Sequence, residues 1–120
     1  MRKDVRTFGR FQLDCFTLPS LLESASMTHF IATYTYGAQS LIDETRPAHR
    51  SFIARLKDQG NVIAAGPYED GAESVIILRL PDGASLGDAA ELLADDPYLT
   101  AGALADREFR EWNPVINVWE

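Results

Sequence analysis

Cysteine is almost missing from this chain. Cys15 is the only one in 120 residues, which excludes an internal disulfide and any multi-cysteine zinc site. Basic residues are also scarce. Eleven Lys and Arg face eighteen Asp and Glu, for a net charge of −7. A nucleic-acid-binding surface needs an excess of cations to displace counterions from phosphates, and a polybasic membrane contact needs the same. Neither partner is expected. No apolar run approaches the roughly 20 residues that span a bilayer. No glycine-rich phosphate loop, HExxH, GxSxG or CxxC occurs, so nucleotide binding, zinc hydrolysis and a serine nucleophile lack support. What is present is 46% hydrophobic and 24% charged residues, the balance of a soluble globular protein. The length suits one domain and is too short for two. A small, acidic, cytoplasmic domain is the expectation.

The first 26 residues differ from the rest. They hold four basic and three acidic residues, leaving seven of the eleven basic and fifteen of the eighteen acidic residues to Met27 onward. The basic start invites a signal-peptide reading, but no continuous apolar stretch of about 7–15 residues follows, and Asp14 interrupts the best candidate. Phe8, Phe11, Leu13 and Phe16 suit a short amphipathic helix or an added strand. Residues 1–26 therefore read as an appendage or an upstream-initiated extension, with the functional domain at 27–120. Cys15 falls in the extension and reads as a structural residue rather than a catalytic thiol.

Six elements follow. His29 to Tyr36 is aromatic and β-branched, the composition of a strand. From about Ser40 to Gln59, Leu41, Ile42, Thr45, Ala48, Phe52, Ile53 and Leu56 form a helical stripe, stopped by Gly60. Asn61 to Tyr68 reads as a second strand, ended by Gly66-Pro67, and Ser74 to Leu80 as a third, closed by Pro81. Ser85 precedes a second helix with Leu86, Ala89, Ala90, Leu92 and Leu93 inward, ending before Asp96-Pro97. The PYLTAG segment adds a helical turn, and Ala103 to Trp112 supplies the last strand. This βαββαβ order predicts an α+β, ferredoxin-like domain: four antiparallel strands with both helices on one face. Tyr34, Tyr36, Ile77, Phe109, Trp112 and Trp119 are more apolar matter than two short helices cover. A homodimer packed sheet to sheet is the expected consequence.

Two histidines exist. His29, at the start of the first strand, reads as a partly exposed imidazole without a task. His49 falls near the centre of the helical stripe at about 100° per residue, so it faces the sheet. There it is either a hydrogen-bonded core histidine or a general base at the rim of a pocket. Asp43 and Glu44 read as first-turn residues favoured by the helix dipole. Asp95 and Asp96 end the second helix, where the dipole disfavours them, so they serve either plain turn chemistry or a site. Arg46 either holds an anionic substrate group or pairs with a surface acid.

The motifs Arg46-Pro47-Ala48-His49, Ala65-Gly66-Pro67, Asp96-Pro97-Tyr98, Ala101-Gly102 and the late Trp112 together resemble the YciI-like (YCII-related) family over Met27 to Val115. The 26-residue extension departs from that family's short members. The resemblance implies a ferredoxin-like fold, a homodimer of the dimeric α/β-barrel type, and an active site of His49 and Asp96. It places Arg46, Gly66, Pro67 and Tyr98 as substrate-binding residues in the same cleft. One branch resembles dehydrochlorinases of chlorinated hydroxyquinol breakdown. The expected function is proton abstraction by a His–Asp dyad from a small, cyclic or aromatic metabolite, as a lyase or isomerase without metal or organic cofactor. The alternatives are a non-catalytic metabolite-binding or accessory module and a regulatory partner acting through its dimer surface.

Overall fold

A computed structural model describes residues 26–119. Residues 1–25 of the expected extension, Cys15 among them, lie outside the described residues. The elements are β1 (Met27–Tyr36), α1 (Gln39–Asp58), β2 (Val62–Pro67), β3 (Glu73–Pro81), α2 (Leu86–Leu92), α3 (Pro97–Thr100) and β4 (Leu104–Trp112). They form one four-stranded sheet in the order β2-β3-β1-β4, with every neighbouring pair antiparallel. This is the expected α+β, ferredoxin-like arrangement. Among the described residues, no helix is long and apolar enough to cross a membrane.

The period-2 alternation of β1 and β3 divides the two sheet faces. Phe30, Ala32 and Tyr34 of β1 pair across with Leu78, Ile76 and Ser74 of β3, and all six are buried toward the helices. Phe52, Ile53 and Leu56 of α1, with Ala89 and Leu93, close the other side of this core. Fully burying a Phe, Ile or Leu side chain contributes about 1.5–3 kcal/mol each, so this one layer carries much of the stability. The odd positions Ile31, Val75 and Ile77 lie half-buried on the opposite face.

That division corrects several expectations. Tyr34 is fully buried, and Tyr36 and Phe109 pack against the helix-side core, so none of the three contributes to the uncovered face. Ala48 is exposed, because the α1 stripe runs through Leu41, Ile42, Thr45 and His49 instead. Leu86 is half exposed, since α2 is only seven residues long and its first turn projects beyond the sheet. His29 is 5% exposed rather than partly open, because Trp119 folds back to 5.9 Å from its ring. Helix α1 begins at Gln39, which moves Asp43 out of the first turn. Asp43 there accepts a hydrogen bond from Gln39 Nε2 at 2.8 Å.

Two local features shape the site end of the sheet. Gly37 packs so closely on the α3–β4 link that a Cβ would lie 2.7 Å from the Ala103 carbonyl oxygen. Its N–H donates to that same oxygen at 2.7 Å. Only glycine permits this approach. On the other edge, β2 slips register between Val62 and Ala64, inserting one residue and bending the strand.

Candidate active site

Asp96 is the centre of the site. It is not the end of the second helix but the N-cap of α3, where Pro97 occupies the first turn and the Asp96 carboxylate accepts the Tyr98 N–H at 3.0 Å. The charge therefore meets the positive end of a helical turn instead of the negative end of α2, which reverses the dipole reading made from the sequence. Asp96 is fully buried. A buried carboxylate is tolerated only when its lone pairs are satisfied. Tyr34 supplies one donor, its hydroxyl 2.7 Å from Oδ2. His49 supplies another, with Nδ1 2.8 Å from Oδ1 and 3.0 Å from Oδ2.

The tautomer follows from chemistry. A carboxylate only accepts, so the proton between the two rests on Nδ1, and Nε2 of a neutral ring carries the lone pair. The His49 ring stacks on Tyr98, with centroids 3.9 Å apart and planes 14° apart, which fixes its orientation. Across the ladder, Arg107 of β4 sits opposite Tyr34, and its charge partly opposes the effect of Asp96 on the phenol. Burial, then the Asp96 charge, drive the Tyr34 phenol far above its ordinary pKa. It remains a hydrogen-bond donor across the physiological range.

His49 lies on the wall of a cleft of about 300 Å³ between α1 and the edge strand β2. Ala54 on the helix and Ala64, Ala65 and Gly66 on the strand are too small to fill the gap between the two elements. Ser74 and Ile76 of β3 form the floor, and Tyr36 and Tyr98 close the dyad end. Of the residues expected in a site, the structure brings His49 and Asp96 into contact, and Arg46, Gly66, Pro67 and Tyr98 all line the cleft. Arg46 lies 3.5 Å from Asp43, the surface-acid pairing weighed for it, and also borders the cleft. His29 is on the other sheet face and takes no part. Among the described residues, no group of three or more His, Cys, Asp or Glu side chains could hold a metal ion.

Sequence reading missed Tyr34, Arg50, Lys57 and Ser74. The signal for Tyr34 is that a tyrosine at a buried strand position needs a partner for its hydroxyl. Arg50 and Lys57 follow Arg46 along one helical face, a pattern visible once charge rather than hydrophobicity is plotted on the helix. Ser74 carries no local signal, because its importance comes from the helix opposite it.

Comparison with known proteins adds an independent line. The model of the YCII-related domain matches residues 27–113. A search of the curated proteins found no match. Among solved structures, the chain is similar to the 5-chloro-2-hydroxyhydroquinone dehydrochlorinase TftG from Burkholderia phenoliruptrix AC1100, solved with 2,5-dihydroxybenzoquinone. The TM-score is 0.58 and the identity 20%, over 71% of this chain and 93% of that one. It is also similar to Rv0793 from Mycobacterium tuberculosis, with a TM-score of 0.52 and 16% identity over 79% of this chain and all of the other. Likeness at these identities concerns the fold.

Proposed function

The chain belongs to the YCII-related domain family, and from that premise we propose a cytoplasmic, homodimeric enzyme that takes a proton from a small cyclic or aromatic metabolite. The observation that carries this reading is the 2.8 Å contact between His49 Nδ1 and the fully buried Asp96. Asp96 orients the imidazole and stabilises the imidazolium that forms, while Nε2 is left to act as the base toward the cleft that His49 lines.

In this reaction the substrate proton moves to Nε2 and the electron pair it leaves forms a new double bond. A leaving group such as chloride then departs with its own bonding pair, giving a lyase. Without a leaving group, the proton returns to a different atom and the net change is isomerisation. Both courses need only a base and its orienting acid, so neither calls for a metal or organic cofactor. The dehydrochlorinase of similar fold was solved with an oxygen-substituted six-membered ring, which makes chlorinated and hydroxylated hydroquinones the first substrates to test. Half-buried Ile31, Val75 and Ile77 on the uncovered sheet face support the homodimer, since a second copy would remove them from water.

Incubation with such rings in D₂O, followed by NMR for hydrogen exchange and by chloride release, tests the reading. Wild type should turn over at least one ring. His49→Gln and Asp96→Asn should each lose about 100-fold or more, the usual share of a general base. Equal rates in wild type and His49→Gln, or none in wild type, would leave a metabolite-binding module.

A further inference from the structure

We propose that the cleft selects an anionic ring, with its negative group held by Arg46 and Arg50 on the helix wall and a second polar substituent hydrogen-bonded by Ser74 on the sheet floor. This names the substrate class of the proton-abstraction site and rests on that reading, but its test measures binding alone.

The first observation is the sign of the charge. Arg46, Arg50 and Lys57 occupy one face of α1 and all line the cleft, whereas no Asp or Glu among the described residues does. In a chain of net charge −7, composition would place acids there. Two of these cations have acidic neighbours outside the cleft: Arg46 lies 3.5 Å from Asp43, and Lys57 3.4 Å from Asp58. Arg50 has no such ion pair among the described residues. Arg46, Arg50 and Tyr98 all line the cleft, and both guanidinium charges act on the Tyr98 hydroxyl, so both bear on the dyad end of the cleft. Apolar walls from Ile53, Val62 and Ile76 lower the local dielectric and strengthen the attraction for an anion.

The second observation is independent. Ser74 is 4% exposed, lines the cleft, and its Oγ has no hydrogen-bond partner among the described residues. A buried hydroxyl is normally paired. Here the vacant donor and acceptor lie at the floor, across from the cationic wall. A flat ring with an anion on one side and a hydroxyl or carbonyl on the other satisfies both. About 300 Å³ accommodates a single ring and not a nucleotide.

The probes are 4-hydroxybenzoate, its neutral amide 4-hydroxybenzamide, and benzoate, titrated into the full chain at low salt and followed by NMR shifts. The acid should bind about tenfold or more tightly than the amide, and added salt should shrink that margin. Arg50→Gln should remove most of the preference, with amide binding still saturable, which reports an intact cleft. Ser74→Ala should abolish the advantage of 4-hydroxybenzoate over benzoate. Equal binding of acid and amide, no saturable binding of either acid, or an unaltered preference in Arg50→Gln would overturn the inference. His49→Gln separates the two readings. If it keeps the acid preference and wild type turns over nothing, the proton-abstraction reading falls and this one stands. If turnover depends on His49 but acid and amide bind alike, this inference alone falls.

Discussion

Asp96 shows how a single buried charge is made tolerable. Its two oxygens accept from a phenol, a backbone amide and an imidazole, at 2.7, 3.0 and 2.8 Å. Each donor comes from a different element, so the carboxylate ties β1, α3 and α1 together as well as orienting His49. Tyr34→Phe removes one donor to a buried charge without opening a cavity, and should cost about 1.5–3 kcal/mol in urea unfolding. As a positioning residue acting through Asp96, it should lower kcat with little change in KM. Alkali gives a second check on Tyr34. Its folded-state pKa is raised, so below about pH 10 both folded and unfolded chains hold the proton. As pH rises further the unfolded chain loses it first, and stability falls by up to about 1.4 kcal/mol per pH unit for this group. Wild type should therefore lose more stability than Tyr34→Phe between pH 9 and 11. Equal losses would mean that the phenol does not keep its proton in the fold.

At the scale of elements, helix ends do much of the positioning. Ser85 and Asp88 form a reciprocal capping box at α2, with Asp88 N–H donating to Ser85 Oγ at 3.2 Å and Ser85 N–H to Asp88 Oδ2 at 2.9 Å. That box starts a helix too short to persist by propensity alone. Ser85→Ala should cost about 1 kcal/mol in thermal or urea unfolding. The β1–α1 corner is less forgiving. Gly37→Ala would drive a methyl onto the Ala103 carbonyl, a backbone atom that cannot rotate away. A loss of about 1–3 kcal/mol is expected, together with weaker His49-dependent turnover, because the Ala103 N–H donates to the Tyr98 carbonyl and a displaced link would pull on α3. Helix α1 also contains Pro47, which has no N–H to donate to the preceding turn. The helix nevertheless continues to Asp58, since Ile42, Phe52, Ile53 and Leu56 anchor it on both sides of the proline.

For the whole molecule, the two sheet faces predict the assembly. The helix-covered face holds Phe30, Ala32, Tyr34, Ile76 and Leu78 out of water, while Ile31, Val75 and Ile77 on the other face are only half-buried. Light scattering at micromolar concentration should give about twice the 13.3 kDa chain mass, and Ile77→Lys should shift it toward the monomer. A stable monomer in the wild type would sink the sheet-to-sheet dimer. Strand β1 begins at Met27, and a chain started there should keep the fold and the cleft, as judged by its unfolding midpoint and amide NMR spectrum.

The order and type of the elements were legible in the sequence because they depend on local chemistry. β-Branched and aromatic runs, a 3.6-residue apolar stripe and Gly or Pro breaks act within a few residues, and strands one to four and both main helices fall where those signals place them. Long-range facts were only partly legible. The alternation along β1 tells which residues share a face, but not which face the helices cover, so the apolar excess expected from the sequence includes Tyr34, Tyr36 and Phe109, which the helix-side core takes up. The meeting of His49 and Asp96 was suggested by motifs, yet their 47 residues of separation give no local reason for a contact. Tertiary structure decided the rest. It made Asp96 a helix cap instead of a helix end, directed the Tyr34 hydroxyl to it, and left a cleft where Ala54 faces Ala64, Ala65 and Gly66. Secondary structure follows from neighbours along the chain, whereas the cleft and the polarity at its wall arise from distant segments packing against one another.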